Sequence, residues 1–143
     1  MNRHQRRALK NQKKPSQDSA QNKLNNLIFL AEQHRDSGRF DEAEEAFRMI
    51  LTISQNYPEA HYNLGYVLEQ TGKLDAATAS FKQAIILKPD FAEAYNMLGK
   101  ILDHQNKLEE ARAYYNKALA IKPDYATAHN NLGYIFEKQK KFE

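Results

Sequence analysis

Reactive side chains are sparse in this chain and badly placed for catalysis. The 143 residues include no cysteine, which excludes a disulfide, a thiolate metal site and a cysteine nucleophile. The histidines are His4, His34, His61, His104 and His129, and no two stand four apart, the spacing that puts two imidazoles on one helical face around zinc. His61 and His129 lie 68 residues apart with Tyr95 midway. A position that takes either His or Tyr reads as a packing site in a helix–helix contact. The carboxylates Asp41, Glu42, Glu44 and Glu45, with Glu109 and Glu110, open apolar-periodic segments, where negative charge complements a helix dipole. The five glycines are scattered, so no phosphate-cradling loop exists. These observations point to no catalytic residues, no metal and no cofactor.

What recurs is structural. Asn63-Leu64-Gly65, Met97-Leu98-Gly99 and Asn131-Leu132-Gly133 repeat every 34 residues, as do Pro89 and Pro123, Ala77 and Ala111, Phe81 and Tyr115, and Ala84 and Ala118. Leu64, Leu68, Leu74, Phe81 and Leu87 follow the spacings of an apolar helical face. Gly65, Ala77 and Ala84 fall where two helices must approach closely. Gly72 separates the two halves of the unit at a tight turn, and Lys88-Pro89-Asp90 closes it, because proline cannot continue a helix. One such hairpin cannot bury its own apolar face, and stacking several does.

The phrase Ala-His/Tyr-x-x-Leu-Gly, then x-Leu-x-x-Ala, Phe/Tyr-x-x-Ala-Ile/Leu and Lys-Pro-Asp resembles the tetratricopeptide repeat. The resemblance implies an all-α solenoid of helix–turn–helix units, right-handed in superhelical sense, with about 3.5 repeats and seven repeat helices. Two good copies span 58–91 and 92–125. A degenerate copy fits 24–57, where Leu30, Gly38, Phe40, Ala43 and Phe47 keep register, while Ala31, Ile50 and Gln55 replace the family's glycine, alanine and proline. A half repeat occupies 126–143. Lys141-Phe142-Glu143 begins the phrase that opens each second helix, and Leu132, Ile135 and Phe136 keep the apolar pattern going. We expect a fragment of a longer array, or a last helix available for self-association.

In that family first helices line a concave groove that takes a protein or an extended peptide. Carried onto this sequence, the partner-binding residues are Tyr62, Asn63, Tyr66, Asn96, Met97, Lys100, Asn130, Asn131 and Tyr134. Further groove positions are Asn25, Ile28, Phe29, Glu32, Arg35, Glu59, Glu69, Glu93, Asp103, His104 and Glu137. Asparagine offers both a donor and an acceptor to a peptide backbone, and tyrosine offers apolar area with a polar tip. Asn63 and Asn131 resemble the asparagine ladder of protein O-linked N-acetylglucosamine transferases, with Met97 interrupting it. The family's clamp for C-terminal carboxylates is missing: its places hold Ile28, Glu32, Glu93 and Met97, or, one repeat on, Tyr62, Tyr66, Thr127 and Asn131.

Charge is unevenly spread. Residues 1–23 hold seven basic side chains against Asp18 alone, so the net +3 of the chain conceals a mildly acidic repeat region, 24–143. The basic segment 1–23 reads as a solvated, partly helical, flexible tail. It has no interleaved aromatics for base stacking and no bulky apolar face for a membrane. Its opening residues resemble those of some bacterial proteins in which such repeats precede a glycosyltransferase or methyltransferase domain. The longest apolar run, Leu27 to Ala31, is far shorter than the roughly 20 residues of a membrane span. The expectation is a cytoplasmic, non-catalytic protein-interaction scaffold; the alternative is a substrate-recruiting segment of a larger transferase.

Overall fold

The computed structural model describes residues 1–10 and 17–141. Its helices are α1 (Arg3–Lys10), α2 (Gln17–Asp36), α3 (Phe40–Ile53), α4 (Pro58–Gln70), α5 (Leu74–Leu87), α6 (Ala92–His104), α7 (Leu108–Ile121) and α8 (Ala126–Lys141). The described residues form no strand. Hairpins α2/α3, α4/α5 and α6/α7 stack in order, and α8 packs on α7 as the first helix of a fourth unit. Helix α2 begins at Gln17, ahead of the repeat start expected at 24. Within the basic segment, Asn2 and Gln5 exchange side-chain to backbone hydrogen bonds of 2.8 and 3.0 Å, a capping box that opens the exposed α1. Residues 11–16 of that segment, and Phe142 and Glu143 of the final phrase, lie outside the described residues.

The turn inside each unit has one geometry. Gly38 and Gly72 take φ of 73° and 78°, and Asn106, in the same register, takes 59°. The next residue's N–H reaches back to the preceding helix: Arg39 to His34 O, Lys73 to Leu68 O and Lys107 to Leu102 O, each at 2.9 Å. This is the helix stop that a left-handed residue makes possible. No side chain caps α3, α5 or α7, but each carries acid in its first turn (Asp41 and Glu42, Asp75, Glu109 and Glu110) to offset the exposed N–H groups. Between units, Ser54 and Lys88 both adopt φ −136° and ψ 88°. Gln55 therefore follows the same chain path as Pro89, and the packing of the units, not proline alone, fixes the turn.

The core runs through the stack. Phe47, Phe81 and Tyr115, each the eighth residue of its second helix, are almost wholly buried. Burying a side chain of that size contributes about 1.5–3 kcal/mol. A Cβ added to Gly65 would lie 2.9 Å from Phe81 Cε1, and one added to Gly99 would lie 2.7 Å from Tyr115 Cε1. Those glycines are what lets the aromatic ring lie flat against the first helix. Ala31 holds the equivalent place in the degenerate copy and is fully buried in the same cluster as Phe47. Helix α4 touches α6 and α6 touches α8, without comparable contacts among α3, α5 and α7. The first helices therefore form the inner face of the curve.

Candidate peptide-binding groove

The inner face divides into two open ends and a closed middle. At the end nearer α2, Arg35, Tyr62, Asn63 and Tyr66 line an open depression of about 440 Å³, with Asp36, Gly38 and Phe40 at its side. Arg35 Nη1 donates to Asn63 Oδ1 at 2.6 Å, and its Nε donates to Asp36 Oδ1 at 2.8 Å. That hydrogen bond from Arg35 holds the Asp36 carboxyl below its ordinary range. The Tyr62 ring stacks on Phe91 at 4.9 Å and tilts against Phe81 at 5.6 Å, so one face belongs to the joint between repeats. Burial pushes its phenol up to about 12, reinforced by Tyr125 and Glu93.

In the middle the expected residues are occupied. Asn96 is only 4% exposed, and its Oδ1 accepts from Asn131 Nδ2 at 3.1 Å. Met97 is buried in the core cluster rather than displayed. Lys100 pairs with Glu69 at 3.1 Å, and Lys138 with Asp103. Burial, with Glu93 adding to it, raises the Tyr125 phenol, while a hydrogen bond with Asn96 acts in the opposite direction. The bonds of Asn131 to Asn96, Lys100 to Glu69 and Lys138 to Asp103 each join one first helix to the next.

At the far end Asn130 and Tyr134 are exposed and, with His129, Gly133 and Glu137, border a second depression of about 410 Å³. Of the nine sequence-predicted residues, Tyr62, Asn63 and Tyr66 come together at one end and Asn130 and Tyr134 at the other. Asn96 and Met97 face inward, and Lys100 and Asn131 are tied to neighbours. Missing from that set were Asp36, Gly38 and Phe40, which reach the first depression from the turn between α2 and α3. Nothing in their residue types signals it.

His61 is half-buried and His129 exposed, and both make a hydrogen bond to backbone where packing in a helix–helix contact was expected. Nε2 of His61 donates to Gln55 O at 2.9 Å, and Nε2 of His129 to Pro123 O at 2.7 Å, so each ring latches the turn before its helix. Among the described residues no three His, Asp or Glu side chains are gathered as a metal site would require. No described helix is long and apolar enough to cross a membrane. What the inner face carries is side-chain amides and phenol edges at two places.

Residues 30–90 and again 62–126 match the Tetratricopeptide repeat family. No curated protein sequence matches the chain. Among solved structures it is similar to MamA, at 26% identity over 82% of this chain and 68% of that one, with a TM-score of 0.77. It is also similar to the first TPR of Spaghetti (RPAP3) bound to an HSP90 peptide, at 23% identity, 83% of this chain, 94% of that one and TM-score 0.78. A third is the Thermobaculum terrenum O-GlcNAc transferase, at 27% identity and TM-score 0.76, where the match takes 84% of this chain but only 23% of the transferase.

Proposed function

The chain belongs to the tetratricopeptide repeat family, and from that premise we propose that it is a non-catalytic, cytoplasmic scaffold that captures a protein or an extended peptide in its concave groove. The observation that carries the proposal is the depression around Tyr62, Asn63 and Tyr66. There, side chains only partly taken up by packing present an amide, phenol edges and the Arg35 guanidinium to an incoming chain. The groove suits an internal peptide segment rather than a free C-terminal carboxylate. Ile28 and Glu32 stand where cations would be needed, Met97 is buried, and Glu93 is paired with Lys122 at 3.4 Å. The Spaghetti (RPAP3) repeat domain bound to an HSP90 peptide shares the fold, and this chain would use a different chemistry on it.

The test is affinity capture from lysate of the native host with the immobilised chain, alongside an Asn63→Ala/Tyr66→Ala double variant of unchanged helix content. We expect specific polypeptides that the variant loses. An identical set recovered in equal yield by both would remove the groove from the account. A second reading has one observation in its favour, the 27% identity to a segment of an O-GlcNAc transferase. In that reading the repeats recruit substrates for a glycosyltransferase or methyltransferase domain beyond residue 143. A reading frame closing at Glu143 in the parent gene would count against it.

A further inference from the structure

Two junctions between second helices share a register but differ in charge. At the first, the Glu44 carboxylate of α3 sits between two cations. It accepts from Lys73 Nζ at 2.8 Å and from Arg48 Nε and Nη2 at 3.0 Å. The Glu44 side chain is only 14% exposed, and its bond to Lys73 latches α3 to the start of α5. At the second junction, 34 residues on, both cations are kept, as Lys82 and Lys107, but Thr78 stands in the place of Glu44. A crevice of about 240 Å³ opens there, lined by Thr78, Lys82 and Lys107. Leu98 and Leu102 of α6 and the Tyr114 ring of α7 give it apolar walls. Asp75 and Glu110 also border it, yet among the described residues neither lysine has an ion-pair partner.

We propose that this crevice takes the side-chain carboxylate of a glutamate in a partner polypeptide, held between Lys82 and Lys107 as Glu44 is held between Arg48 and Lys73. The chemistry of the occupant is that of the side chain the register lacks: a short apolar stem ending in one negative charge. A carboxylate accepts from two ammonium groups at once, and its methylenes suit walls of leucine and tyrosine. Asp75 and Glu110 in the same crevice disfavour a second negative charge, so a carboxylate fits better than a phosphate. Lys82 and Lys107 are exposed, and ion pairs in such places contribute little by themselves. A small free acid would therefore be held poorly, whereas a polypeptide adds its other contacts to this one. The crevice lies among α5, α6 and α7, away from Tyr62, Asn63 and Tyr66 on α4, so this proposal and the groove reading can fail separately.

The experiment follows the lysine ε-methylene resonances of the full chain by NMR while N-acetyl-glutamate N-methylamide is added at neutral pH. Saturable shifts in the millimolar range are expected at Lys82 and Lys107. None is expected at Lys73, whose carboxylate is already in place. Lys82→Met or Lys107→Met should weaken binding about two- to fivefold. Thr78→Glu should abolish it, because the chain then supplies the carboxylate itself, and Glu110→Gln should strengthen it by removing a competing charge. Shifts at Lys82 and Lys107 no larger than at Lys73, or binding indifferent to Thr78→Glu, overturn the proposal. So does tighter binding of inorganic phosphate, which would make the ligand a phosphate. Butyrate binding more tightly than the capped glutamate overturns it too, since the occupant would then be a free acid.

Discussion

Alanine at Gly99 and alanine at Gly133 should change stability in opposite directions, although both replace a glycine of the same register in a first helix. At Gly99 the new Cβ would lie 2.7 Å from Cε1 and 2.8 Å from Cδ1 of Tyr115, whose ring is fully buried. The ring cannot stay where it is, and it has no free space to withdraw into. Helix propensity favours alanine by about 1 kcal/mol, while overpacking a filled core costs about 1–3 kcal/mol. A ring held on all sides puts the penalty at the upper end, which leaves Gly99→Ala less stable by about 1–2 kcal/mol. Gly99→Leu should melt α6–α8 outright. At Gly133 no atom lies within 4 Å of the new Cβ, so propensity acts alone and Gly133→Ala gains up to about 1 kcal/mol. Urea unfolding followed by far-ultraviolet circular dichroism measures both. Because each repeat contacts only its neighbours, hydrogen exchange should show protection lost first in α6–α8 and retained in α2–α3. A Gly99→Ala midpoint at or above wild type would refute the ring-on-glycine account.

The Tyr115 hydroxyl is buried with no hydrogen-bond partner among the described residues, and Phe81 fills the same register. Tyr115→Phe should therefore raise stability by about 1 kcal/mol, and a lower thermal midpoint would contradict that. Asn131→Ala strands the buried Asn96 oxygen and should cost about 1 kcal/mol. Asn63→Ala leaves Arg35 beside water and Asp36 and should stay within about 0.5 kcal/mol of wild type; equal losses in urea would refute the distinction. The hydrogen bond from Lys73, then that from Arg48, holds the Glu44 carboxyl below its unfolded value of 4.5. Its contribution is then complete above about pH 4.5 and is lost as pH falls through the lower folded value. Glu44→Gln should show a shallower loss of stability than wild type between neutral pH and about pH 3, and parallel curves would assign the acid sensitivity elsewhere.

Element type and order were legible because the 34-residue period constrains every helix at once. Phe81 and Gly65 announce each other's positions, and the fold places them in contact. The degenerate copy was legible for the same reason, since Ala31 and Ile50 keep their register positions apolar, and both are fully buried. The turn at Asn106 was not, because asparagine only tolerates the left-handed geometry that glycine advertises. The groove was harder still. Spacing assigns a residue to a face but does not say what approaches from the next repeat. Asn96 and Met97 have groove spacing, yet α8 lies across α6 and its Asn131 closes over Asn96. Arg35 meets Asn63 only because the end of one first helix comes beside the middle of the following one.

Those cross-repeat bonds change what the groove can do. Arg35 to Asn63, Lys100 to Glu69, Asn131 to Asn96 and Lys138 to Asp103 each tie adjacent first helices, and the Glu69 side chain is only 7% exposed. A ligand that recruited Lys100 or Asn131 would have to break a partly buried bond, leaving Glu69 or Asn96 without a partner at a cost of about 1–3 kcal/mol. In the proposed groove, contacts that cost no such bond fall to Tyr66 and Tyr134, while engaging the Asn63 oxygen would have to displace Arg35. The tied middle holds adjacent first helices together. Preorganisation of that kind strengthens binding by reducing what must be ordered on contact.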